Sequence, residues 1–141
     1  MDQGVSLILF FAAILVMAGI LSVIITVTRK GPRQLDVEKY RTAWLEIESN
    51  LKRDDESSYQ LCVLNADKLL DKALQERHIA GQTMGERMKK QQKTWSNANA
   101  VWAAHKLRNQ IAHESSVRIT YEAARRALAG FKQGLKDLGA I

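Results

Sequence analysis

From Val5 to Val27 the chain reads VSLILFFAAILVMAGILSVIITV, with no charged side chain. A helix rising about 1.5 Å per residue carries this run roughly 35 Å, enough to cross the hydrocarbon of a bilayer with some tilt. The pattern therefore predicts a transmembrane helix over about 5–27 within an anchor of residues 1–28. A cleaved signal peptide is the rival reading. Against it, no basic segment precedes the run, the run exceeds the usual apolar core of a signal, and Arg29-Lys30 follows where small residues would mark cleavage. Gly31-Pro32, with the chain's only proline, then breaks the helix. Residues 29–35 read as a basic juxtamembrane linker.

Beyond the linker the period changes to that of half-buried helices, with no strand-like alternation, no low-complexity segment and no internal repeat. Val37, Tyr40, Trp44, Ile47 and Leu51 recur at spacings of three and four, which predicts a helix from about Asp36 to Lys52. Asp54-Asp55-Glu56 with Ser57 makes a turn and a helix start. The next helix, about Glu56 to Arg77, lines up Cys62, Ala66, Leu69 and Ala73 beside Val63, Leu70 and Leu74, a face wide enough for two neighbours. It ends between His78 and Gly81, where glycine can take the left-handed cap conformation.

Thr83 and Glu86 have capping-box spacing and open a short helix to about Gln92. Ser96 is placed to cap a fourth helix running to about His113. Thr120 is placed to cap a fifth whose stripe is Ala124, Leu128, Phe131, Leu135 and Leu138. The expected fold is all-α: a transmembrane helix, then an up-and-down bundle of four main helices plus one short helix over residues 36–141.

Charge adds an orientation. All 21 Lys and Arg of the 141-residue chain lie from Arg29 onward, and so do all acids but Asp2, so a net charge of +6 becomes +7 past the anchor. With Arg29, Lys30 and Arg33 just after the span, the positive-inside rule puts the N-terminus outside and the bundle in the cytoplasm of a single-pass cell-membrane protein. A basic domain beneath a membrane favours anionic partners, either lipid or nucleic acid, although plain solubility explains the charge as well. The densest cluster, with Arg87, Lys89, Lys90 and Lys93, is a candidate RNA or lipid contact and equally a solvated face. Cys62 reads as a core residue, and Met84, Met88, Trp95 and Trp102 as packing residues more than a base-stacking platform.

Candidate chemistry concentrates in Arg108-Asn109-Gln110-Ile111-Ala112-His113. Here a fixed cation, an amide and a titratable base share one and a half turns. On the helical wheel Ala100, Ala104, Leu107 and Ile111 form the core face and Arg108 borders it. Trp102, Asn109 and His113 lie opposite, with His105 between them and the arginine. A tryptophan on that side predicts a cover from the fifth helix or a second chain. Residues five apart diverge by about 140° on an ideal helix, so Arg108 and His113 do not share a face, whereas Asn109 and His113 do. Arg108 and His113 meet only if the arginine curls round, the helix end distorts, or a second copy contributes.

The segment Lys106-Leu107-Arg108-Asn109-Gln110-Ile111-Ala112-His113-Glu114, followed by Thr120-Tyr121-Glu122-Ala123-Ala124, resembles the HEPN superfamily (higher eukaryotes and prokaryotes nucleotide-binding domains). The family signature is an arginine, a polar residue and a histidine four to six residues past the arginine. Arg108, Asn109 and His113 match it, and the likeness of layout extends over residues 36–138. The resemblance implies a bundle that dimerises, here through the fourth helix, and in active members cuts RNA without a metal. Carried over by residue, His113 is general acid or base at the ribose 2′-hydroxyl and leaving oxygen, Arg108 holds the phosphate, and Asn109 orients one of them. Other members are non-catalytic RNA-binding or assembly modules.

No cofactor or metal is expected. The chain has no cysteine pair, His-Glu-x-x-His pattern, phosphate loop or G-x-S-x-G turn, and His105 with His113 is too small a ligand set. The expected function is a membrane-tethered, HEPN-like RNA-binding domain and metal-independent endoribonuclease acting as a homodimer. The alternatives are a non-catalytic membrane adaptor for protein association and a lipid-sensing domain. A plainer use of the hexapeptide also stands: an arginine, an amide and a histidine near a helix end can simply bond loops and last-turn carbonyls.

Overall fold

The computed structural model describes residues 2–28 and 33–141. The Gly31-Pro32 break and the Arg29-Lys30 part of the linker lie outside the described residues. Every element described is helical, and the chain divides into two compact units, Met1–Pro32 and Arg33–Ile141.

The first unit is α1 (Gln3–Thr28). It buries no residue and has no polar face, which separates it from a soluble core helix. It is long and apolar enough to cross a membrane. Its late hydroxyls are satisfied internally: Thr26 Oγ1 donates to the Ser22 carbonyl at 2.7 Å and Thr28 Oγ1 to that of Ile24 at 2.6 Å. In hydrocarbon no water would do this for them.

The second unit is built around α3 (Glu56–Glu76), which packs against α2 (Val37–Asn50), α4 (Met84–Gln91), α5 (Ala98–His113) and α6 (Tyr121–Asp137). Its two apolar lines explain this position, since Cys62, Val63, Ala66, Leu70, Ala73 and Leu74 are all buried. On α2 the predicted stripe holds at Tyr40, Trp44 and Ile47, while Val37 in the first turn stays exposed. Asp36 caps that helix by accepting from the Lys39 amide. The residues just outside the cap and four into the helix, Leu35 and Tyr40, are both buried, as in a hydrophobic staple. On α6 all five predicted stripe residues are buried, and Thr120 accepts from the Ala123 amide as its cap.

Three local expectations change. The left-handed residue after α3 is His78, at φ 58°, and not Gly81. The amides of His78 and Ile79 bond back to the carbonyls of Gln75 and Leu74, closing a Schellman turn. Asn97 caps α5 by accepting from the Ala100 amide, while Ser96 gives its amide and hydroxyl to the Asp137 carboxylate at the end of α6. On α5 the fully buried positions are Val101 and Ala104, with Ala100, Leu107 and Ile111 only half-buried. The helix lies against both α3 and α6, so its buried face is turned toward Val101 relative to the predicted one.

Candidate functional site

Asp67 organises the polar side of the bundle. It continues the apolar line Val63, Ala66, Leu70 of α3, and its side chain is only 4% exposed. A carboxylate at that depth is costly unless it is paired and hydrogen-bonded. Its partners come from one turn of α5: Oδ1 is 2.7 Å from His105 Nδ1, and Oδ2 is 3.1 Å from Arg108 Nε. The latter contact is electrostatic, since Arg108 Nε is buried without an aligned hydrogen-bond acceptor. Arg108 Nη1 donates to Asn109 Oδ1 at 3.0 Å.

A second aspartate lies one turn further along α3. Asp71 takes Arg87 of α4 in a two-pronged pair, Nε to Oδ1 at 2.9 Å and Nη2 to Oδ2 at 3.0 Å. Arg87 Nη1 donates to the Gly81 carbonyl at 2.6 Å. Gly81 is required for that approach, because a Cβ there would stand 2.9 Å from the Arg87 amide nitrogen. Arg87 is thus a buried brace between α3, α4 and the loop before α4. Lys89, Lys90 and Lys93, the other members of the predicted basic contact, are exposed.

These groups line an open groove of about 820 Å³ between α3, α4 and α5, whose walls include Asp67, Lys68, Asp71, Arg87, His105 and Arg108. Asn109 is also on its wall. His113 is not: it is exposed in the last turn of α5 and its side chain makes no hydrogen bond among the described residues. The structure therefore separates Arg108 from His113, as the wheel predicts, but it joins Asn109 to Arg108, where the wheel sets Asn109 with His113. The histidine it does bring to Arg108 is His105, three residues earlier. Nothing in the Arg-Asn-x3-His pattern points to His105 or Asp67. A signal existed in the sequence, because an acid four residues after Val63 and three before Leu70 interrupts a line of core residues.

Trp102 is half-buried against the edge of the core. Its Nε1 donates to Gln92 Oε1 at 3.0 Å, and its ring meets that of His105 edge-on at 6.2 Å between centroids. Met84, Met88 and Trp95 are buried packing residues. Cys62 is also sealed in the core, where burial pushes its thiol pKa up and removes it from nucleophilic chemistry. A second groove, of about 590 Å³, runs between α5 and α6 over small residues including Ala100, Ala103, Ala127 and Gly130. No group of three or more His, Cys, Asp or Glu suited to a metal occurs among the described residues.

Comparison of the chain with protein-family models, curated proteins and solved structures gives no match.

Proposed function

We propose that this chain is a single-pass membrane protein holding an HEPN-like bundle at the cytoplasmic face, where the bundle binds RNA and cleaves it as a homodimer without a metal. The observation that carries the reading is the state of Arg108. It is half-buried on the wall of an open polar groove, bonded to Asn109, and its Nη2 makes no hydrogen bond among the described residues. A guanidinium hydrogen-bonded to one neighbour, held by the charge of a second and left with free N–H groups is suited to a phosphate oxygen and to the charge that grows on it.

His113 serves in this reading as the acid for the leaving oxygen. It stands about 7.5 Å along α5 from Arg108 and on another face, so it acts on the groove of a second copy packed along α5. Exposed Lys89, Lys90 and Lys93 extend the phosphate contact. Anchoring is supported by the unburied apolar α1, and orientation by Arg29, Lys30 and Arg33 after it.

The test is cleavage of RNA by the full chain in detergent micelles with a chelator present. Products with 5′-hydroxyl and 2′,3′-cyclic phosphate ends are expected, with the rate reduced on the order of 10²-fold in Arg108→Ala. RNA binding should weaken steeply as salt rises. A chain that fails to bind RNA even at low salt is not an RNA-directed protein. A second reading, a non-catalytic membrane adaptor, is favoured by the open groove between α5 and α6, whose small lining residues would let a partner's side chains approach the backbone closely.

A further inference from the structure

We infer that His105, held by Asp67, is the proton acceptor of the Arg108 groove, a role the Arg-Asn-x3-His signature does not give it. The inference rests on the proposed RNA cleavage and adds a residue to it. Asp67 is a carboxylate with no proton to give, so in the 2.7 Å contact His105 Nδ1 donates. In the neutral ring that fixes the tautomer and leaves Nε2 as the nitrogen with the lone pair. Nε2 makes no hydrogen bond among the described residues. The ring is clamped by Asp67 on one edge and by the edge-on Trp102 ring at 6.2 Å.

Position agrees with the tautomer. His105 lines the 820 Å³ groove and also a shallower hollow of about 380 Å³ formed with Trp102, Ala103, Lys106 and Asn109, so the imidazole stands on the rim between them. Arg108 follows it by three residues and shares its face of α5. A phosphate bound by Arg108 therefore sits within reach of His105, whereas His113 of the same chain points elsewhere. Asp71 bonds Arg87 through both oxygens and Gln75 Nε2 through Oδ2, and makes no bond to the imidazole. Asp67 is thereby a positioning residue for two groups at once, the base through Oδ1 and the phosphate-binding arginine through Oδ2.

The step balances without a co-reactant. His105 Nε2 takes the proton of a ribose 2′-hydroxyl as the 2′-oxygen bonds to phosphorus. The bond from phosphorus to the 5′-oxygen breaks, and the departing oxygen takes a proton from His113 of a second copy. The products are a 2′,3′-cyclic phosphate and a 5′-hydroxyl.

The experiment compares the full chain in detergent micelles with His105→Gln, His105→Ala and His113→Ala. The substrates are an RNA oligonucleotide and uridine 3′-(4-nitrophenyl phosphate), whose leaving group needs no proton. Loss of the base should slow both substrates by about 10²-fold or more, and added imidazole should restore part of the His105→Ala rate. Loss of the acid in His113→Ala should slow RNA cleavage and be relieved on the nitrophenyl ester. Imidazole rescue is a readout that a merely structural histidine would not show. His105→Gln cutting RNA at the wild-type rate overturns this inference and leaves the proposed function standing, as does recovery of His105→Gln on the nitrophenyl ester. Wild-type protein that cuts neither substrate overturns both.

Discussion

Two arginine–aspartate pairs stand one helical turn apart on the same groove, and they are built for different work. Arg87 is 9% exposed in its side chain and spends its N–H groups on both oxygens of Asp71 and on the Gly81 carbonyl. Arg108 is 35% exposed, touches Asp67 by charge at 3.1 Å, and donates a hydrogen bond only to Asn109. In the first pair the aspartate is the more exposed partner and the arginine is sealed. In the second the aspartate is sealed and the arginine reaches out. A guanidinium bonded through all three of its nitrogens braces a fold, whereas one bonded through a single nitrogen keeps bonds in reserve for a ligand.

Breaking the brace should have the largest effect. Arg87→Ala leaves Asp71 without its partner and frees the loop before α4, for an expected loss of about 3 kcal/mol, read as the shift of a urea unfolding midpoint. An Arg87→Ala protein as stable as the wild type would dissolve the distinction between the pairs. Arg108→Ala should cost only about 1 kcal/mol, because His105 still bonds Asp67, and should instead weaken RNA binding and reduce its salt dependence. Equal losses of stability in the two variants would make Arg108 another brace.

A third carboxylate sharpens the comparison through pH. Burial opposes the charge of Asp137, but the bonds it accepts from the Ser96 amide, from Gln133 and from the Ser96 hydroxyl outweigh this and hold its pKa below the ordinary aspartate range. A carboxyl whose folded pKa is depressed stabilises the fold above its unfolded pKa, and that contribution is lost as pH falls through the folded value. The stability gap between wild type and Asp137→Asn should therefore be widest near neutrality and close below about pH 4. A gap that does not change with pH would assign the effect to packing.

The smallest effect concerns the end of the helix that carries both aspartates. α6 closes its Schellman turn with Gly139 at φ 71°, and α3 closes its own with His78 at φ 58°. His78→Gly should raise the melting temperature by a few degrees, for about 0.5–1 kcal/mol, without altering RNA binding. A fall in stability would show that the imidazole contributes a contact worth more than the strain it imposes.

Much of the architecture is legible because its determinants are local. The spacing of Tyr40, Trp44 and Ile47, the double line through Val63 and Ala66, and the caps at Thr83 and Thr120 each act over one or two turns. Misjudged details fall where neighbours compete. Ser96 is as good a cap as Asn97 until Asp137 claims it from 41 residues away. Val101 becomes the centre of the buried face only because α3 and α6 both close on α5. The candidate site divides the same way, since the approximately 140° between Arg108 and His113 follows from helix geometry and survives folding.

What the sequence alone determined is every property that depends on neighbours along the chain: an apolar span long enough for a bilayer, the helices and their apolar faces, and the separation of Arg108 from His113. What only the tertiary structure decided is which charges meet. Asp67 finds His105 38 residues away, and Asp71 finds Arg87 across a loop. Such pairings depend on which helix faces pack and at what depth, because the cost of burying a carboxylate is met only by a partner that the folded chain brings to it.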